Sequence, residues 1–121
     1  MLTCGHAARQ ATIEITSNRL IIKILIKDIM KIETLNQACY IQTVSEIIKS
    51  YHSLDEIQQQ LGGYPFLRTH RSYIVNLRYV KDVKENDFVL TDGTIVPIRR
   101  SDKLAIKQKF RDYVFKMMRG M

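Results

Sequence analysis

Tryptophan is absent from this chain of 121 residues, and cysteine and proline occur only twice each. Without tryptophan, and with Tyr73 and Tyr79 as the main aromatics near its basic segments, the sequence offers no platform for stacking the bases of a single strand. Cys4 and Cys39 lie far apart and match no zinc or Cys-x-x-Cys spacing, which argues against a metal or a disulfide framework and for reduced thiols. His6, His52 and His70 have neither helical spacing nor neighbouring acids, so no metal site is expected. Long apolar runs are missing too. The richest, residues 20–26, is interrupted by Lys23 and followed by Lys27, well short of the ~20 residues of a membrane helix. Residues 1–10 lack the apolar core of a signal peptide, so a loose start and a cytoplasmic location are expected. Gly62-Gly63 is not followed by the Lys and Ser or Thr of a phosphate-binding loop, and no cofactor or small-molecule substrate is indicated. No repeat or low-complexity linker divides the chain, which predicts one domain over residues 11–118.

What is present is basic and unevenly placed. Residues 1–63 hold six Lys or Arg against six Asp or Glu, whereas residues 64–121 hold thirteen against six and so carry the whole net charge of +7. Such a bias points to nucleic acid first and an anionic membrane surface second, or to a basic face kept for solubility.

Hydrophobic patterning predicts a mostly β fold. Residues 11–15 and 19–26 read as two strands joined by a turn over Thr16-Ser17-Asn18. Ile29, Met30 and Ile32 form the next strand, and the polar residues 33–37 are expected to be a loop. In residues 40–44, Tyr40, Gln42 and Val44 share one face and Ile41 and Thr43 the other, with residues 47–51 as hairpin partner. Ser53-Leu54-Asp55-Glu56 is a capping box that opens a helix of about two turns through Ile57 and Leu61, ended by Gly62-Gly63. Tyr64-Pro65 begins an extended segment, strands follow at 80–84 and 88–90, and Asp92-Gly93 predicts a type I′ hairpin into Ile95-Val96. Pro97 belongs on an edge strand or at a strand end. Ser101-Asp102 predicts the cap and first turn of a last helix. Its face of Ile106, Phe110, Tyr113, Val114 and Met117 would pack on the sheets, with Lys103, Lys107, Lys109, Arg111 and Lys116 on the remainder.

Two segments carry the candidate chemistry: Arg68, Arg71 and Arg78 in one, Arg99, Arg100 and Lys103 in the other. Guanidinium groups grip phosphates or pair with O6 and N7 of guanine, and Thr69, His70, Ser72 and Asn76 add neutral groups suited to phosphate oxygens or base edges. The two predicted helices do not adjoin, which excludes a helix-turn-helix and leaves loops and strand ends to do the recognition. Alternatives are an RNA-binding module, a hydrolase built on Cys39 and His70, and a redox-sensing thiol at Cys39, none of them supported by a local motif.

Phe66-Leu67-Arg68-Thr69-His70-Arg71-Ser72-Tyr73-Ile74-Val75-Asn76 closely resembles the central motif of the LytTR DNA-binding domain. Ile32-Glu33 before a polar loop, the capping box at Ser53, Asp92-Gly93-Thr94 and Pro97-Ile98-Arg99-Arg100 fit the order of features around it, over residues 11–116. The resemblance implies small β-sheets packed as a sandwich with short helices, serving as the output domain of bacterial response regulators in two-component systems. It also implies contact with double-stranded DNA from loops, and pairing of copies on directly repeated sites. Residue by residue, Arg71 and Arg99 match base-contacting positions, and the loop holding Asn36, Gln37, Cys39 and Tyr40 matches a third contact. Arg68, Arg100 and Lys103 are expected to clamp phosphates, Thr69 and Ser72 to touch the DNA backbone, His70 to hold the motif's shape, and Asn76 to cap the turn at Leu77. The family's domains usually follow a phosphoacceptor receiver domain. Only about ten residues precede the first predicted strand here, so a separately encoded protein and a piece of a longer regulator both stay open.

Overall fold

The computed structural model describes residues 11–62 and 65–119, so the expected loose segment 1–10, with Cys4 and His6, and also Gly63 and Tyr64, fall outside the described residues. After Gly62 the chain divides into two compact units.

Two asparagines turn the chain in the first unit. β1 (Thr12–Ser17) and β2 (Leu20–Leu25) pair antiparallel with Ser17 opposite Leu20, leaving Asn18 and Arg19 at the tip with φ of 50° and 67°. β3 (Ile29–Leu35) and β4 (Ala38–Thr43) repeat the device around Asn36 (51°) and Gln37 (66°). Two positive φ values in a two-residue loop are the type I′ pattern, whose twist suits the flanking strands, and asparagine enters that region more readily than most residues. The turns therefore lie at 18–19 and 36–37 rather than at 16–18 and 33–37. Glu33, Thr34 and Leu35 are strand residues, opposite Tyr40, Cys39 and Ala38.

β5 (Ile47–Ser50) pairs with β4 as expected, Ile48 opposite Ile41. The Thr43 hydroxyl holds that turn, accepting the N–H of Glu46 (3.0 Å) and of Ser45 (3.3 Å). α1 (Leu54–Leu61) starts with a complete capping box. Ser53 Oγ accepts the Glu56 N–H (3.1 Å) while Glu56 Oε1 accepts the Ser53 N–H (2.7 Å). Gly62 ends the helix at φ 57° and ψ −127°, a backbone region open essentially to glycine alone. Ile13, Ile15, Ile29, Ile32, Ile41 and Ile57 are fully buried; in β1 this follows period-two alternation with the exposed Thr12 and Glu14, whereas in β3 the whole run Ile29 to Ile32 is buried across a register shift.

The capping box makes a measurable claim. Ser53→Ala is expected to lower stability by about 1 kcal/mol in chemical denaturation. Hydrogen bonds from the Ser53 backbone and side chain hold the Glu56 carboxyl below its ordinary range. A lowered folded value means that the contribution is complete above the unfolded value of about 4.3 and fades as pH falls through the folded one. The cost of Ser53→Ala should therefore shrink in acid.

The second unit opens with the hairpin β6 (Phe66–His70) and β7 (Tyr73–Asn76), with Arg71 and Ser72 at its tip. Asn76 caps the following 3-10 turn as expected, its Oδ1 accepting the Arg78 N–H at 3.0 Å. β8 (Val80–Val83), β9 (Asp87–Leu90) and β10 (Ile95–Pro97) form an antiparallel sheet in that order, and Pro97 is the last residue of an edge strand. The β9–β10 turn is not type I′. Of Asp92 and Gly93 only Gly93 has positive φ (90°), and the Gly93 N–H bonds to the Leu90 carbonyl (2.9 Å) while the Leu90 N–H bonds to that of Thr94 (2.8 Å). That is a three-residue loop closed by a glycine bulge, and Asp92 Oδ1 secures it by accepting the Thr94 N–H (2.9 Å).

The last helix, α2 (Lys103–Arg119), starts later than Ser101 suggested. Arg100–Asp102 is a 3-10 turn of its own, closed by the Asp102 N–H on the Arg99 carbonyl at 3.1 Å, so Ser101 lies inside that turn, ahead of the helix start. Along α2, Ile106 is buried and Phe110 lies 5.4 Å from the ring of fully buried Phe88, but Met117 is half exposed, so the apolar face is narrower than its spacing implied. Among the described residues no helix is long and apolar enough to cross a membrane.

Candidate nucleic-acid interface

The β6–β7 tip is built by its own side chains. Arg68 and His70 alternate with the buried Leu67 and Thr69, which places them on the more open face of β6. From there the Arg68 guanidinium reaches along the hairpin: Nη2 donates to the Arg71 carbonyl at 2.6 Å and Nε to the His70 carbonyl at 3.3 Å. His70 Nδ1 accepts the Ser72 N–H at 3.2 Å, and its ring meets Tyr73 edge-on at 5.9 Å. His70 thus supports the tip, as expected. Arg68 is expected on phosphates; here two of its five donors satisfy carbonyls of the turn. What these bonds leave exposed is Arg71.

Arg99 reaches the same place from the end of β10. Its backbone N–H donates to the Thr69 carbonyl at 2.6 Å, pinning the strand end to β6, and its guanidinium is exposed with Nε 3.7 Å from Asp102 Oδ2. Arg68, His70, Arg71, Arg99 and Asp102 line one cleft of about 280 Å³ within the second unit. Two segments about thirty residues apart in sequence therefore converge. Thr69 also lines this cleft, but its side chain is fully buried, so it does not reach a DNA backbone from the surface.

Other predicted contacts fare differently. Arg100 is exposed and Ser72 half-buried at the hairpin tip. Lys103 was expected to clamp phosphate; its Nζ bonds Glu85 Oε2 at 2.7 Å and Asn86 Oδ1 at 3.3 Å, an arrangement that also holds the Glu85 carboxyl below its ordinary range. In the first unit Asn36 and Gln37 stand exposed at the β3–β4 tip, and Tyr40 is half-buried. Cys39 corrects the expectation most clearly. It is 1% exposed, on the inner face of β4 with Ile41 and Thr43, its Sγ 3.7 Å from Thr34 Oγ1. A thiol so enclosed neither reads a base nor meets an oxidant or substrate. The alternation that placed Ile41 and Thr43 together would have placed Cys39 with them had it been extended by two residues. Asp102, absent from the expected set, carried no signal beyond its place in a supposed helix start. Among the described residues no cluster of His, Cys, Asp and Glu could hold a metal ion.

The LytTr DNA-binding domain model matches residues 19–111, which include both converging segments. The chain belongs to the LytTr DNA-binding domain family. Its curated relatives include the transcriptional regulatory protein NatR of Bacillus subtilis, 38% identical over 91 residues that make up 72% of this chain and 36% of NatR. Sensory transduction protein LytT of Bacillus anthracis is 23% identical over 96 residues, 75% of this chain and 39% of LytT. The chain thus spans little more than a third of either relative. A solved LytTr DNA-binding domain from Bacillus cereus has the same fold, with a TM-score of 0.68 at 22% identity over 82% of this chain and 95% of that one. The LytTr fold is accordingly mostly β with a C-terminal helix, as the sequence indicated.

Proposed function

We propose that residues 11–118 act as one domain that binds duplex DNA sequence-specifically within a bacterial transcription regulator, in the cytoplasm, with no enzymatic step. The observation that carries this reading is the convergence of Arg71 and Arg99, from a hairpin tip and a strand end, on one cleft. Arg71 and Arg99 read base edges there. Arg100 and Ser72 meet phosphates, and Asn36 and Gln37 at the β3–β4 tip supply a further contact in place of Cys39. Two copies on directly repeated sites would follow the family's habit.

Selecting bound sequences from a random duplex pool tests the reading, because a site-specific domain enriches one motif and its spacing reports the number of copies. On that motif log K should fall linearly with log salt, each neutralised phosphate adding about −0.9 to the slope. Competition by single-stranded or double-stranded RNA as strong as that by the selected duplex would replace this reading with the RNA-binding one.

A further inference from the structure

Among the cationic groups of the cleft sits one carboxylate, and DNA approaching this surface would meet it. Asp102 is half exposed, its Oδ2 lies 3.7 Å from Arg99 Nε, and both residues line the cleft. A stray surface acid would be free to swing away, but the backbone here is tied on both sides. The Arg99 N–H is fixed on the Thr69 carbonyl at 2.6 Å, and the Asp102 N–H on the Arg99 carbonyl at 3.1 Å. The 3-10 turn through Arg100 and Ser101 thus sets Asp102 beside Arg99 at a spacing of three residues.

We infer that Asp102 is a positioning residue for base reading: it holds the Arg99 guanidinium by Nε and so presents the Nη1–Nη2 edge to paired acceptors such as O6 and N7 of guanine. A guanidinium is a rigid fork, and bidentate pairing requires its plane to be set before contact; a carboxylate paired with the Nε side at 3.7 Å biases that plane while leaving the two Nη donors in line. The same carboxylate repels phosphates, so Asp102 weakens binding to arbitrary sequence while sharpening the choice of base. Those two effects have opposite signs, which separates positioning from plain structural support.

This inference rests on Arg99 reading a base, and the test keeps the two apart. Wild type, Asp102→Asn, Asp102→Glu and Arg99→Ala are titrated with the selected duplex, with duplexes changed at each base pair of the motif, and with random duplex; thermal unfolding confirms that each variant folds. Asp102→Asn is expected to narrow discrimination by about 2- to 5-fold, the worth of an exposed ion pair, at the same base pair where Arg99→Ala abolishes it. Binding of Asp102→Asn to random duplex is expected to stay level or tighten, and Asp102→Glu should recover part of the lost discrimination. Discrimination unchanged in Asp102→Asn but lost in Arg99→Ala would overturn the positioning role alone. A uniform loss on every duplex would overturn it in favour of a structural one. If Arg99→Ala itself leaves discrimination intact, the base-reading assignment falls first, and the role of Asp102 with it.

Discussion

Arg71→Ala and Arg99→Ala are each expected to weaken binding to the selected duplex by about 1–3 kcal/mol, roughly 5- to 150-fold, and to flatten preference at one base pair apiece. The reason lies in what surrounds each guanidinium. Arg71 stands at a tip whose other polar groups are already bonded to one another, and Arg99 at a strand end pinned to β6, so both are presented by backbone that has little freedom to compensate. Replacement removes a positive charge as well as a bidentate pair. Binding to random duplex should therefore fall too, but less than binding to the selected one. Because both side chains line one cleft, the double variant should depart from the sum of the singles. Fluorescence anisotropy on matched and singly mismatched duplexes measures both quantities. Equal losses on selected and random DNA would reduce the two arginines to phosphate contacts.

Phe88→Ala should cost more, about 3–5 kcal/mol of unfolding free energy. Phe88 is fully buried on β9, its ring 5.4 Å from that of Phe110 of α2, and it is the largest fully buried side chain among the described residues. Alanine would leave a cavity between the sheet and the helix that follows Arg99. In a domain stable by about 5–15 kcal/mol this removes a large fraction, so the variant should unfold at a much lower urea midpoint with its slope little changed. Phe88→Leu, which keeps most of the volume, should lose well under half as much. An alanine variant as stable as wild type would mean that the β9–α2 contact is not part of the folded core in solution.

The sequence was most legible where a local rule and the core agree. Ser53 and Glu56 satisfy one another's backbone whatever the remainder does, and the alternation of β1 is written in Ile13 and Ile15, that of β4 in Ile41 and Thr43. It was least legible at turns, where backbone geometry decides and side chains only permit. Asn18-Arg19 and Asn36-Gln37 make the two-residue turns without a glycine, while Asp92-Gly93, the more conspicuous pair, makes a longer one. Polarity also misled in Glu33 and Thr34: Glu33 pairs with Lys31 on one face of β3, and Thr34 meets Cys39 on the other, so polar residues serve both faces near the strand end. For the proposed interface, the central motif pointed to Arg71 and the Pro97–Arg100 segment to Arg99, and the structure brings the two to one cleft. Which cations were already engaged could not be read from charge, because Lys103 finds Glu85 eighteen residues upstream and Arg68 finds carbonyls, which no residue type announces.

The bracing by Arg68 has a thermodynamic side. A hairpin tip that stiffens only on meeting DNA loses backbone and rotamer entropy in the act of binding, at roughly 0.5–1.5 kcal/mol for each side chain immobilised. Here the His70 and Arg71 carbonyls and the Ser72 N–H are bonded before any partner arrives, so much of that ordering already belongs to folding. Association at this tip should accordingly be close to rigid-body docking, with calorimetry reporting a heat capacity change set by buried surface and little contribution from a loop becoming ordered.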